Sequence, residues 1–223
     1  MHETSGNHAD SSGNGNTGTP AGTMTQDGIG KIDGADEFLN DTGVVTVSDN
    51  TGLDGMSALT LSGWLFPDDD HSGAGDWGEF IDKRGGGNSY ELYFLGGTLT
   101  FRAHTTAGPN GNAGSVALTT GAWNHVVATY DGDIARVYVN GSEQVSSDLA
   151  ADGTIVNTTG SVAIGNYATG ANAWHGEIDE TRISDVVRSS NWIWATYMTM
   201  ASNSVFSSYG VSDIPEKGTV FRF

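Results

Sequence analysis

Trp123-Asn124-His125-Val126-Val127-Ala128-Thr129-Tyr130-Asp131-Gly132 runs on through Asp133-Ile134-Ala135 to Arg136-Val137-Tyr138-Val139-Asn140-Gly141. Two runs of β-branched and aromatic residues flank Asp131-Gly132, and a second turn dipeptide, Asn140-Gly141, closes the unit. Asp, Asn and Gly tolerate the positive φ that tight hairpins demand, so the stretch predicts paired antiparallel strands over 123–130 and 135–140.

Strand-like segments recur at regular spacing on both sides of this hairpin: 43–47, 57–66, 79–82, 90–95 and 98–104 before it, and 154–157, 161–166 and 174–183 after it. In 57–66 the period of two puts Leu59 and Leu61 on one face. Leu92 and Phe94 alternate with Glu91 and Tyr93, and Leu99, Phe101 and Ala103 alternate with Thr100, Arg102 and His104. Each of these strands is expected to have one buried and one wet face. Helical periodicity is confined to 189–198, where Ser189, Ser190 or Asn191 supplies a cap. The pattern predicts an all-β chain, an antiparallel β-sandwich of two packed sheets with one short C-terminal helix.

Composition agrees. A chain of 223 residues suits a single sandwich, and at that length roughly 70% of the unfolded surface can be buried without staples. Thirty-three Gly against 4 Pro fit a fold with many tight turns. The net charge of −18 repels phosphate backbones and argues against nucleic-acid partners. It suits divalent cations, neutral glycans or cationic partners, and it also serves solubility. The absence of Cys excludes disulfides and thiolate metal sites. No stretch has the roughly 18 apolar residues of a membrane span, and the polar start Met1-His2-Glu3-Thr4 reads as a module cut from a larger exported protein.

The hairpin's order, Trp-x-His-Val-x-x-Thr-Tyr-Asp-Gly followed by Val-Tyr-Val-Asn-Gly, resembles the middle of laminin-G-like, concanavalin-A-like jelly-roll domains. Asp10-Ser11-Ser12-Gly13-Asn14-Gly15-Asn16 resembles the turn that opens them. Gly30-Lys31-Ile32-Asp33-Gly34 is similar to the next family segment, with Ile where Phe is usual. Gly63-Trp64-Leu65-Phe66-Pro67 resembles an internal strand, and Gly176-Glu177-Ile178-Asp179-Glu180-Thr181-Arg182-Ile183 the closing one. The resemblance covers about residues 9–198. It implies a jelly-roll domain over 1–198, with 199–223 a linker or one more edge strand at Thr219–Phe223.

The resemblance also implies a secreted or cell-surface recognition module for a polysaccharide or glycoconjugate, with a structural Ca²⁺ near where first and last strands meet. The implied ligands are Asp33 and Asp179, with Asp36 in the acidic turn 33–37 and Asp10 beside them. Oxygen donors suit this hard cation. The alternative is that Asp33 only makes a turn and Asp179 bonds backbone or pairs with Arg182. For glycan stacking the candidates are Trp77 and Trp174 in Gly-rich loops, with Tyr93, Arg102 and His104 on the wet face of neighbouring strands. The alternative is that both tryptophans plug the sandwich ends. Trp64, Trp123, Trp192 and Trp194 are assigned to core or helix docking, and His125 to a structural imidazole.

An adhesion or spacer module that binds a protein, or nothing, is the main rival. The enzyme reading rests on Glu177 and Asp179, which share a strand face as in laminarinase-like glycosidases. The third carboxylate that this motif needs is Thr181 or Arg182 here. Alginate-lyase strands, a Gly-x-Ser-x-Gly elbow and a His-Glu-x-x-His pair are all missing, so a non-catalytic module is expected.

Overall fold

The hairpin forms as read, with Val126 opposite Val139 and Tyr130 opposite Ala135. Asn140 and Gly141 take φ of 51° and 79°, the left-handed pair that a two-residue turn requires. The structure is a computed structural model and describes residues 3–39, 42–73, 75–149, 152–167, 170 and 172–202.

Along the chain the strands are β1 (Gly18–Ala21), β2 (Met24–Ile29), β3 (Gly34–Phe38), β4 (Val44–Val47), β5 (Leu59–Pro67), β6 (Gly78–Asp82) and β7 (Tyr90–Leu95). They continue as β8 (Thr98–Thr105), β9 (Gly108–Ala117), β10 (Asn124–Tyr130), β11 (Ile134–Val139), β12 (Ser142–Asp148), β13 (Val162–Ile164) and β14 (Gly176–Ser184), and end in the helix α1 (Ser190–Ala201). Two antiparallel sheets result, in the orders β1-β4-β13-β6-β7-β8-β9 and β12-β11-β10-β5-β14-β3-β2. This is the expected jelly-roll sandwich.

The core lies between the sheets. Leu59, Leu61 and Leu65 of β5 and Val126, Ala128 and Tyr130 of β10 meet Phe80, Ile81, Leu92, Phe94, Leu99 and Phe101 of the other sheet. The outer face of the β5 sheet is not left to water, because α1 covers it. Ile193 packs with Val127 and Tyr138, and the Trp64 indole N–H donates to Met200 Sδ at 3.3 Å. Ser189 caps the helix by accepting from the Trp192 amide at 3.2 Å. Trp64 and Trp192 thus dock the helix, whereas Trp194 is half exposed.

Three expectations change. The segment 154–157 forms no strand: Ile155 makes only an isolated bridge to Thr105, and its amide bonds Met56 O instead. The acidic turn 33–37 is mostly the strand β3, which begins at Gly34. Strands β1, β2, β9 and β12 were not anticipated, because Gly, Ser, Asn and Asp dilute their apolar alternation. The tail beyond 202, with the possible strand at Thr219–Phe223, lies outside the described residues. Among the described residues no helix is long and apolar enough to cross a membrane.

Candidate ligand-binding face

The candidate site is the outer face of the sheet that holds β6, β7 and β8. A bulge between Glu79 and Ile81 creates it. Glu79 pairs with Tyr93, Ile81 with Leu92 and Asp82 with Glu91. The extra residue lets Phe80 and Ile81 both enter the core, so Glu79 and Asp82 both fall on the outer face beside Glu91. The ligand atoms of these three carboxylates lie within 4.8 Å of one another, and all three are fully buried.

Two arginines hold the cluster together. Arg84 reaches Glu79 Oε1 at 2.5 Å and Glu91 Oε2 at 2.6 Å, and also binds Asp82. Arg102 pairs with the other Glu91 oxygen, donates to Asn112 Oδ1 at 2.7 Å and to the Tyr93 hydroxyl at 3.2 Å. Burial pushes Glu79 up to about 8, helped by repulsion from Asp82 and Glu91 and opposed by Arg84 and Asn172. Burial also acts on Glu91, but His104, Arg84 and Arg102 outweigh it and hold that carboxyl below its ordinary value. Asp82 is raised by burial, against the pull of Arg84. The Arg84 guanidinium is held charged, since its three acidic neighbours outweigh its own burial.

Aromatic rings sit on this charged floor. The Trp77 and Tyr93 rings lie 5.0 Å apart at 43°, the Arg102 guanidinium is 5.2 Å from the Tyr93 ring centre, and Arg84 is 4.9 Å from that of Tyr167. Trp77, Tyr167, Arg84 and Arg102 remain partly exposed.

The expected sugar-contacting residues therefore divide. Trp77, Tyr93 and Arg102 come together. Tyr93 and His104 are only 7% and 4% exposed, so the face is not the wet one expected. Arg102 covers Tyr93, and the His104 backbone is bonded by Ser89 and Val156. Trp174 is fully buried against Phe94 and His71, with ring centres 5.6 and 6.0 Å away. It plugs the sandwich end and is no stacking platform. The sequence reading missed Glu79, Arg84, Glu91 and Tyr167. The available signal was the scarcity of basic residues, since Arg84 and Arg102 are two of only nine on an acidic chain.

The carboxylates expected around Ca²⁺ are dispersed. Asp36 is buried against His8, with Oδ2 at 3.0 Å from Nε2. Asp10 accepts from the amides of Ser12 and Asn16 at 2.8 Å within its own loop. Asp179 is buried, and its Oδ2 accepts from the Ile32 amide at 2.8 Å, next to Asp33. Among the described residues, none of Asp10, Asp33, Asp36 and Asp179 belongs to a group of three potential ligands within 4.8 Å. Asp10 also lines a cavity of about 980 Å³ between the N-terminal loop and β14, away from the aromatic face.

The carboxylates of the enzyme reading lie on the other sheet. Ile178 points into the core, so Glu177 and Asp179 flank it on the outer face of the β5 sheet. Glu180 sits at φ 54° beside a break in strand register and pairs with Arg182. His125 is buried beside Trp64 and Tyr197, and among the described residues its Nδ1 has no hydrogen-bond partner. It is structural but not satisfied.

Residues 39–194 match the laminin-G-type family model of the concanavalin A-like lectin/glucanases superfamily. No curated protein matches. Solved structures do. Domain 4 of AbnA, an extracellular arabinanase from Geobacillus stearothermophilus solved with arabinotriose, aligns with TM-score 0.65 and 22% identity over 83% of this chain and 90% of that one. The binding domain of Paraclostridial Mosquitocidal Protein 1 aligns at 0.68 and 17%, over 85% and 49%. The botulinum neurotoxin DC binding domain, solved with rat synaptotagmin II, aligns at 0.68 and 12%, over 86% and 49%. The chain spans about half the length of these toxin domains. At such identities the likeness is one of fold.

Proposed function

The chain belongs to the concanavalin A-like lectin/glucanases superfamily, and we propose that it serves there as a non-catalytic carbohydrate-binding module of an extracellular protein. The observation that carries this reading is the partly exposed Trp77 ring tilted against Tyr93, beside Arg102 and Arg84 fixed by buried carboxylates. A flat ring offers its face to sugar C–H groups, while guanidinium N–H groups left over from the ion pairs donate to hydroxyls. The carboxylates position the arginines before any ligand arrives, which lowers the ordering cost of binding.

The same geometry supports the absence of catalysis. Glu79 and Glu91 have their proton affinities pushed apart, as an acid and a nucleophile would. Yet the Arg84 guanidinium bridges them and occupies the space where a glycosidic bond would have to sit. A structural Ca²⁺ is retained in this reading at the turn around Asp33 and at Asp179. The carboxylates would supply hard oxygen donors, and turn carbonyls would have to supply most of the six to eight oxygens.

The test is a glycan array followed by calorimetry, with arabinotriose as the first soluble probe. Trp77→Ala is expected to weaken a detected glycan at least tenfold, or about 1.4 kcal/mol, without lowering the melting temperature. Trp174→Phe is expected to lower the melting temperature and leave affinity unchanged. A blank array, or equal affinity for wild type and Trp77→Ala, would overturn the assignment and favour an adhesion or spacer role.

A further inference from the structure

The loop between β5 and β6 is acidic and carries one histidine, Asp68-Asp69-Asp70-His71-Ser72-Gly73. His71 is fully buried at a left-handed φ of 48°. Its backbone is fixed on both sides: Gly96 N donates to His71 O at 3.0 Å and Gly97 N to Asp70 O at 2.6 Å. Its Nδ1–H donates to Asp76 Oδ1 at 3.0 Å, which leaves Nε2 as the lone-pair nitrogen. Among the described residues that Nε2 has no hydrogen-bond partner although it is buried.

What Nε2 faces is a second pair of ligand types. Asp69 Oδ1 lies 3.7 Å from it, and Asp69 Oδ2 is 3.1 Å from Nδ1 of His175. The two imidazole ring centres are 4.7 Å apart. His175 arrives from the segment leading into β14, tied to this loop by Asp68 N donating to His175 O at 3.0 Å. Ligand atoms of Asp69, His71 and His175 all fall within 4.8 Å of one another. The glycine at position 78 makes room for the ring, since a Cβ there would stand 2.7 Å from His71 Nε2.

We propose that Asp69, His71 and His175 form a binding site for a divalent transition-metal ion of the zinc class. Imidazole nitrogens favour such ions over calcium, which takes oxygen. Zinc bonds of about 2.0–2.2 Å to nitrogen and carboxylate oxygen set tetrahedral ligands about 3.3–3.5 Å apart, so small side-chain shifts suffice. Asp76 is the outer partner that fixes the tautomer and orientation of a metal-binding histidine. On binding, His175 releases Nδ1 to the ion and carries its proton on Nε2. Because Asp69 and His175 are partly exposed, the remaining coordination positions open to solvent. The ion would clip the β5–β6 loop to the start of β14 at one end of the sandwich.

The experiment uses the full chain after chelator treatment and dialysis. Zn²⁺ is titrated by calorimetry, and Co²⁺ by visible absorption, which reports coordination directly. One equivalent of Zn²⁺ is expected, with a Co²⁺ spectrum showing nitrogen and oxygen ligation and a rise in melting temperature that Ca²⁺ does not reproduce. His175→Ala and Asp69→Asn are expected to weaken Zn²⁺ at least 100-fold. Asp76→Asn, which touches no ion, should cost about 10–100-fold. These three side chains are partly exposed, so the variants keep the test valid if His71→Ala does not fold. No Zn²⁺ heat with a featureless Co²⁺ titration would overturn the proposal, and so would binding that survives both His175→Ala and Asp69→Asn. Neither result bears on the glycan face, which is read out by Trp77.

Discussion

Glu79→Gln isolates the energetics of the buried acidic cluster. Glu79 is fully buried, and burial first, then Asp82 and Glu91, raise its carboxyl from 4.5 to about 8. A group whose folded-state value is raised takes up a proton on folding. Its contribution is therefore fully present below the unfolded value and is lost as pH rises through the folded one. Each tenfold gain in proton affinity corresponds to about 1.4 kcal/mol, so the full interval corresponds to about 5 kcal/mol, an upper bound that side-chain relaxation and water reduce. We expect about 2–4 kcal/mol. Glutamine keeps the shape and the acceptor oxygen toward Arg84 and Asn172 but cannot ionise. Urea unfolding of wild type and Glu79→Gln at pH 5, 6.5, 8 and 9 should give curves that nearly coincide at pH 5. They should separate progressively to about pH 8, with the variant more stable, and run parallel above it. A stability difference that does not change across this range would refute the reasoning, because an ionised Glu79 fully compensated by Arg84 gives no pH dependence.

His125 works in the opposite direction: burial and Arg182 push it down to about 4, so its contribution is present above the unfolded value near 6.5 and lost as pH falls toward 4. His125→Phe should abolish about 3 kcal/mol of acid destabilisation in urea titrations, and an unchanged acid limb would refute this. Gly165→Ala should cost about 3 kcal/mol or more, since φ is 78° and the new Cβ would stand 2.1 Å from Phe38 Cε1; a loss below 1 kcal/mol in denaturant unfolding would show that Phe38 can move aside. For the calcium proposal, Asp179→Asn should lower the melting temperature in millimolar Ca²⁺ but hardly in EDTA, and equal losses in both would remove the ion.

The strands that were legible are those whose evidence is local. In β10 and β11 the alternation of Val126, Ala128 and Tyr130 with their partners, together with the Asp131-Gly132 turn between them, carries the pairing. The helix was legible from its cap, Ser189. By contrast β9 reads Gly-Pro-Asn-Gly-Asn-Ala-Gly-Ser-Val-Ala. It is an edge strand whose place is fixed by pairing with β8, not by its own side chains. The site was only half legible for a related reason. Tyr93, Arg102 and His104 could be placed on a common face by alternation and Trp77 in a loop, but Glu79 and Asp82 share that face only because of a bulge, and a bulge breaks the period from which faces are read. Trp174 shows the converse limit. A tryptophan in a Gly-rich loop looks exposed in sequence, and only the packing of Phe94 and His71 against it reveals a plug.

The charge state of the cluster bears on which sugars the proposed face would accept. Three carboxylates and two guanidiniums leave one excess negative charge when all are ionised. With Glu79 raised to about 8, that excess is absent near neutral pH, and the floor beneath Trp77 and Tyr93 is neutral while still rich in fixed N–H donors. The guanidiniums are already engaged by Glu91, Asp82 and Glu79, so they offer directional hydrogen bonds instead of an unspent positive charge. Such a surface favours hydroxyl-bearing neutral sugars over uronic acids, which would need an unpaired cation to offset the rest of an acidic chain. Ionisation of Glu79 above pH 8 would add a buried negative charge under the same rings and pull Arg84 more tightly onto its partner. Affinity for a neutral glycan should then decline as pH rises through about 8, where folded-state Glu79 ionises and where the pH-dependent loss of stability levels off.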